Sequence, residues 1–116
     1  MVELEKAIIQ VESSDDNNAI GAAGEVGCMQ ISLQCLHDVN RILRRQTFKP
    51  EDRYDRGNSM VMFRVYTNYW TDKAVKLSNA PDTLETRARI WNGGPSGWKK
   101  DATKAYWFKV RKEMNR

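Results

Sequence analysis

Apolar residues recur along this chain at helical spacing. Leu4, Ala7, Ile8 and Val11 fall at i, i+3, i+4 and i+7, which predicts a helix over Val2–Ser13. Ile31, Cys35, Leu36, Val39 and Ile42 or Leu43 form a second stripe, expected on a helix from Cys28 to about Arg44. Met60, Phe63, Tyr66 or Thr67, Trp70 and Ala74 form a third, from a cap at Asp55 to about Leu77. Asp82, with Glu85 three residues on, resembles a capping box for a short fourth helix that ends near Trp91. Asp101 then caps a last helix, on which Ala102, Tyr106 and Val110 stand four apart. The stretches between are loop-like: Asp15–Gly27 with its three glycines, Gln46–Tyr54 with Pro50, Asn79–Pro81, and Asn92–Gly97. No strand-like alternation of useful length appears, and no repeat or linker. The expected fold class is all-α, a single domain of about five helices.

With 116 residues the chain is long enough for one compact domain. No apolar run approaches the roughly 20 residues that span a bilayer. The formal net charge is +4, and basic residues gather late: Lys99, Lys100, Lys104, Lys109, Arg111, Lys112 and Arg116. Such a cluster is either a solvated face or an attraction to a polyanion, nucleic acid or acidic wall polymer. Cys28 and Cys35, if on one helix, would lie about 10 Å apart at 1.5 Å per residue. That exceeds the roughly 7 Å a disulfide tolerates, so both are expected as free thiols. Two cysteines and His37 make no recognisable metal site. The N-terminal stretch carries Glu3, Glu5 and Lys6 and lacks the pattern of a signal peptide. Cytoplasmic synthesis with another route of release is expected, or a domain trimmed from a larger protein.

Three segments carry candidate chemistry. The first helix ends in Val11-Glu12-Ser13; a glycine turn leads through Gly27-Cys28-Met29-Gln30-Ile31; a later helix ends in Trp91-Asn92-Gly93-Gly94-Pro95. Glu12 follows Ile8 by one turn, so it lies on or beside the apolar stripe at a helix C-terminus. The negative end of the helix dipole and nearby apolar surface both raise a carboxyl pKa. A carboxyl group held neutral in this way can deliver a proton to a poor leaving oxygen near neutral pH.

In this order and spacing the segments resemble the SLT-type lytic transglycosylases and the goose-type lysozymes. That family has a helix ending in Glu-Ser, then Gly-x-x-Gly-Leu-Met-Gln-Ile, then Ala-Tyr-Asn-x-Gly-Pro. The tail from Ala102 to Val110 is similar to the family's closing Thr-x-x-Tyr-x-x-Lys-Val helix. The resemblance runs from about Ala7 to Val110 and suits a compact, phage-type version. It implies a lysozyme-like fold with a substrate cleft, and cleavage of the β-1,4 bond between N-acetylmuramic acid and N-acetylglucosamine in peptidoglycan. It assigns Glu12 as the catalytic acid. It places Ser13, Met29, Gln30, Ile31, Trp91, Asn92 and Tyr106 around the substrate, although Met29 and Ile31 by residue type suit packing better. Neither cofactor nor metal is implied, and a monomer acting on glycan strands is expected. The missing leader then fits a phage endolysin or a virion-borne enzyme released to the wall.

The chain departs from the family at three positions. Trp91 replaces the usual tyrosine, which keeps a stacking face and removes a hydroxyl. Ser32 stands where goose-type lysozymes commonly carry an aspartate. Gly21 stands where SLT-type enzymes often carry serine. The first two carboxylates on offer as partners for Glu12 are Asp15 and Asp16, with Glu25 a third; without one, a single-glutamate transglycosylase is favoured over a two-carboxylate lysozyme. Two other functions fit parts of the sequence: a non-catalytic wall-glycan binder, and a small basic helical nucleic-acid binder. The second leaves all three segments unexplained.

Overall fold

The computed structural model describes residues 2–116. Five α-helices form in chain order: α1, Val2–Ser13; α2, Leu33–Leu43; α3, Arg56–Ser78; α4, Leu84–Gly93; and α5, Lys104–Met114. Short 3₁₀ turns occupy Pro50–Tyr54, Gly97–Lys99 and Asp101–Thr103. Among the described residues, extended pairing is limited to two isolated bridges, Ile20 with Val26 and Val26 with Ile31. The fold class is therefore all-α, and no described helix is long and apolar enough to cross a membrane. The chain divides into two compact units, one formed by Ile9–Tyr66 and the other by the chain up to Ile8 with Thr67–Arg116.

In the unit of Ile9–Tyr66 the buried apolar residues are Ile9, Val26, Cys28, Met29, Ile31, Leu36, Val39, Phe48, Met62, Phe63 and Tyr66. The second helix is shorter than its apolar spacing suggests. It begins at Leu33, because the Ser32 side chain accepts the Cys35 amide at 3.0 Å and stops the helix there. Cys28 to Ile31 instead form a turn, so the two cysteines do not share a helix; both are nonetheless free. Arg44 ends α2 in a left-handed conformation. Buried Asn40 then organises the following loop. Its amide donates to the Phe48 carbonyl at 2.9 Å and its oxygen accepts the Phe48 amide at 3.0 Å, as a backbone strand would. The stretch read as a loop before Tyr54 closes with the Pro50–Tyr54 turn, for which proline at the first position is well suited.

In the other unit, Leu4, Ala7, Ile8, Ala74, Ala80, Ala88, Ile90 and Val110 are buried. The helix α4 is capped by Thr83, not Asp82: the Thr83 hydroxyl accepts the Thr86 amide at 3.1 Å. It also runs two residues past Trp91, to Gly93. Asp101 opens a 3₁₀ turn rather than capping α5, and its exposed carboxylate pairs with Lys104 at 3.0 Å, which lowers its pKa. Helix α3 buries small polar residues, Ser59, Thr67 and Thr71, along the same stripe as its apolar ones. Its periodicity is correspondingly faint in a hydrophobicity pattern.

Candidate functional site

Glu12 sits in the last turn of α1 and is half-buried. The helix stops just after it because Ser14 and Asp15 both turn left-handed, at φ +54° and +65°. Their amides close back on the carbonyls of Gln10 and Ile9. Two consecutive non-glycine residues in this region cost on the order of 1–3 kcal/mol each, held only where the surroundings impose them. Part of what imposes them is an ion pair between Asp15 and Arg56, at the start of α3.

Ser13 fastens this helix end to the glycine turn. Its hydroxyl faces the carbonyls of Cys28, at 2.8 Å, and Ile9, at 3.1 Å, and accepts the Asp16 amide at 3.0 Å. The Glu-Ser and Met-Gln segments, fifteen residues apart at this contact, are thus brought together. Ser13 acts here as a clamp between two backbones.

The turn itself is built by glycine and arginine. Gly27 has φ +86°, and a Cβ on it would drive into the Arg53 carbonyl oxygen. Arg53, buried, donates to the Pro50 carbonyl at 2.8 Å and to the Ile31 carbonyl at 2.9 Å. Its own carbonyl accepts the Ser59 hydroxyl at 2.9 Å. Arg53 therefore holds the exit of the Met-Gln segment, a role that no motif announced. Met29 and Ile31 are 0% and 1% exposed, so they serve packing and offer no surface to a sugar. Gln30 is half-buried and left-handed, φ +53°. Its amide nitrogen donates to the carbonyls of Gly27, at 3.0 Å, and Ala19, at 3.2 Å, bracing the loop from within. A Cβ at Gly21 would meet the far ends of the Gln30 and Glu25 side chains, which would have to shift to admit it.

The candidate second carboxylates are each engaged locally. Asp15 pairs with Arg56, Asp16 accepts the Asn18 amide at 2.9 Å, and Glu25 accepts the Ala23 amide at 3.1 Å. Cys28, buried beneath the turn, has its thiol pKa raised by burial, offset in part by Arg56. Among the described residues no group of three or more His, Cys, Asp or Glu side chains could hold a metal ion.

No known protein family matches this chain, and no characterised protein is significantly similar to it.

Trp91, Asn92 and Tyr106 belong to the other compact unit. Trp91 and Tyr106 are half-buried and Asn92 is exposed. The loop that follows Asn92 is held by a second buried arginine. Arg89 donates to the Thr103 hydroxyl at 2.8 Å, the Lys100 carbonyl at 2.9 Å and the Glu85 carboxylate at 2.8 Å. Thr103 in turn donates to the Gly97 carbonyl at 2.7 Å. Gly97 lies so close to the Arg89 backbone carbonyl that no side chain fits, and Gly93 lies likewise against the Thr103 methyl. Two of the three glycines in Gly93-Gly94-Pro95-Ser96-Gly97 are thus required by close approach to this network.

Proposed function

We propose that this chain cleaves the glycan strands of peptidoglycan, with Glu12 as the proton donor. The observation that carries it is the Ser13 clamp, which joins the Glu12 helix end to the Gly27-Cys28-Met29-Gln30 turn. Left-handed backbone at Ser14, Asp15 and Gln30 supports it, since strain of this kind gathers at functional sites. The half-buried setting of Glu12 suits a carboxyl group that must be protonated at the start of a reaction.

A single-carboxylate mechanism is preferred because Asp15, Asp16 and Glu25 are all committed elsewhere. Neutral Glu12 gives its proton to the β-1,4 oxygen as the bond to the muramic anomeric carbon breaks. The substrate's own acetamido oxygen stabilises the positive carbon. Glu12, now a carboxylate, removes a proton from the muramic C6 hydroxyl, whose oxygen closes onto that carbon. The product is a 1,6-anhydro end, and Glu12 is returned to its neutral form. By the resemblance, Trp91 would stack on a sugar face, Asn92 would bind an acetamido group and Tyr106 would contact a sugar.

The test is turbidity clearing of purified cell wall, followed by mass spectrometry of the soluble products. The intact protein is expected to clear the suspension and release anhydro ends, and Glu12→Gln to leave it turbid with its fold intact by circular dichroism. Clearing by Glu12→Gln at the parent rate refutes the assignment; reducing ends in place of anhydro ends refute the transglycosylase step.

A further inference from the structure

A second feature borders the third motif at Pro95 and lies wholly within the unit that contains Thr67–Arg116. Late α3 and the loop after Gly94 enclose a shallow groove of about 170 Å³. Trp70, Lys73 and Leu77 line it from the helix, and Pro95, Trp98 and Lys99 from the loop. A pocket that holds a whole small molecule usually exceeds roughly 300 Å³, so this one accommodates a ring or two of a longer chain. Both indoles are half-buried, and Leu77 beside them is 78% exposed.

The chemistry of the lining is specific. Two indoles offer flat, electron-rich faces, which attract the C–H face of a pyranose as they attract the edge of an aromatic ring. Trp70 is held in orientation by an edge-on contact with Tyr69, centroids 4.9 Å apart at 88°. The Lys99 ammonium stands 5.9 Å from the Trp98 ring centre, at the outer limit of a cation–π contact, which places a positive charge beside the stacking face. Lys73 and Lys99 are both exposed, and no carboxylate lines the groove. From Pro95 onward the chain carries seven Lys or Arg against Asp101 and Glu113, a net of +5, more than the +4 of the whole chain. Aromatic faces flanked by ammonium groups fit a sugar that bears an anion.

We propose that the Trp70–Trp98 groove binds a carboxylate-bearing saccharide, the muramic residues of a glycan strand whose stem peptides have been removed, which frees the lactyl carboxylates. Sugar rings lie on the indoles, and Lys73 and Lys99 take the carboxylates. The groove is a docking site for the strand, and rests on the proposed activity only for the identity of the polymer.

The probe is a soluble glycan oligomer from peptidoglycan stripped of its peptides, so that its lactyl carboxylates are free. Chitohexaose serves as the uncharged comparator and an oligothymidylate as the nucleic-acid one. Each is titrated into Glu12→Gln protein, to prevent turnover, and followed by tryptophan fluorescence at low and high salt. The carboxylated oligomer is expected to bind about three- to tenfold tighter than chitohexaose at low salt, a gap that closes at high salt. Trp98→Ala should weaken both sugars about three- to tenfold, the equivalent of one stacking contact. Lys73→Gln with Lys99→Gln, at exposed positions that do not threaten folding, should abolish only the preference for carboxylate. Unchanged binding in the lysine pair overturns the proposal, and so does oligothymidylate binding more tightly than the glycan. Wall clearing by the parent protein is scored separately. A protein that clears wall without using the groove loses this site alone; one that binds glycan through the groove and cuts nothing keeps it and loses the activity.

Discussion

Gly24 and Gly27 offer a matched pair for measuring how tightly the Gly27–Gln30 turn is built. Their φ angles are nearly equal, +89° and +86°. A Cβ added at Gly24 meets nothing within 4 Å, whereas one at Gly27 is driven into the Arg53 carbonyl oxygen. Gly24→Ala therefore incurs only the left-handed backbone penalty, about 1–2 kcal/mol. Gly27→Ala incurs the same penalty plus overpacking, about 1–3 kcal/mol more. The obstructing atom is backbone and cannot swing aside. It belongs to the residue that holds Ile31 by its guanidinium, so relief of the clash moves the Met29–Gln30 segment with it. At roughly 4 °C per kcal/mol for a domain of this size, the melting temperature should fall by about 4–8 °C in Gly24→Ala and about 8–20 °C in Gly27→Ala. Urea unfolding followed by tryptophan fluorescence measures both, with a constant slope confirming that the change is in stability. Wall clearing should be lost in Gly27→Ala at temperatures where it is still folded, and kept in Gly24→Ala. Equal destabilisation of the two variants would refute the steric account of the turn.

Other outcomes follow from the same contacts. Ser13→Ala strands the Cys28 carbonyl and should cost about 1–3 kcal/mol, with faster hydrogen exchange at the Asp16 amide, which loses its acceptor. Thr71 is 1% exposed and its hydroxyl has no hydrogen-bond partner among the described residues, so Thr71→Val should raise the melting temperature. Burial, and secondarily Asp38, pushes the Cys35 thiol from 9.0 up to about 12. The unfolded thiol therefore loses its proton before the folded one. Stability from this group is complete below pH 9 and is lost as pH rises from 9 towards 12. The urea midpoint should decline over that window, and Cys35→Ala should flatten part of the decline. Cys28 and Tyr66, also raised by burial, add to the decline, Tyr66 over a higher range.

Where side-chain spacing alone sets the structure, the sequence was readable. Leu4, Ala7, Ile8 and Val11 marked α1 to its observed ends. Cys28 and Ile31 misled, because a buried turn and a buried helix face both call for apolar residues. The distinguishing signal was Ser32, placed three residues before the amide it caps. Asp82 was preferred over Thr83 by the same ambiguity, two good capping residues standing side by side. The Glu12 and Gln30 segments could be named but not joined, since the clamp runs from a serine hydroxyl to a backbone carbonyl and a carbonyl has no sequence signature. Arg53 and Arg89 were invisible for a related reason: in a sequence, arginine reads as surface. The Trp70–Trp98 groove draws on residues 28 positions apart, beyond any helical period.

The two buried arginines also bear on how freely the loops around them can diverge. Arg53 grips main-chain oxygens of Pro50 and Ile31, and Arg89 grips that of Lys100. A main-chain oxygen is present whatever side chain the residue carries. Substitutions at Lys100 should therefore forfeit only its exposed ammonium's bond to the Gly93 carbonyl and leave the Arg89 grip intact, while lysine at position 53 or 89, with one ammonium in place of a forked guanidinium, should break the grip. Mutational constraint would then fall on the hand that grips and, at exposed Lys100 though not at buried Ile31, spare the residue being held, leaving that loop open to new surface chemistry without loss of its shape.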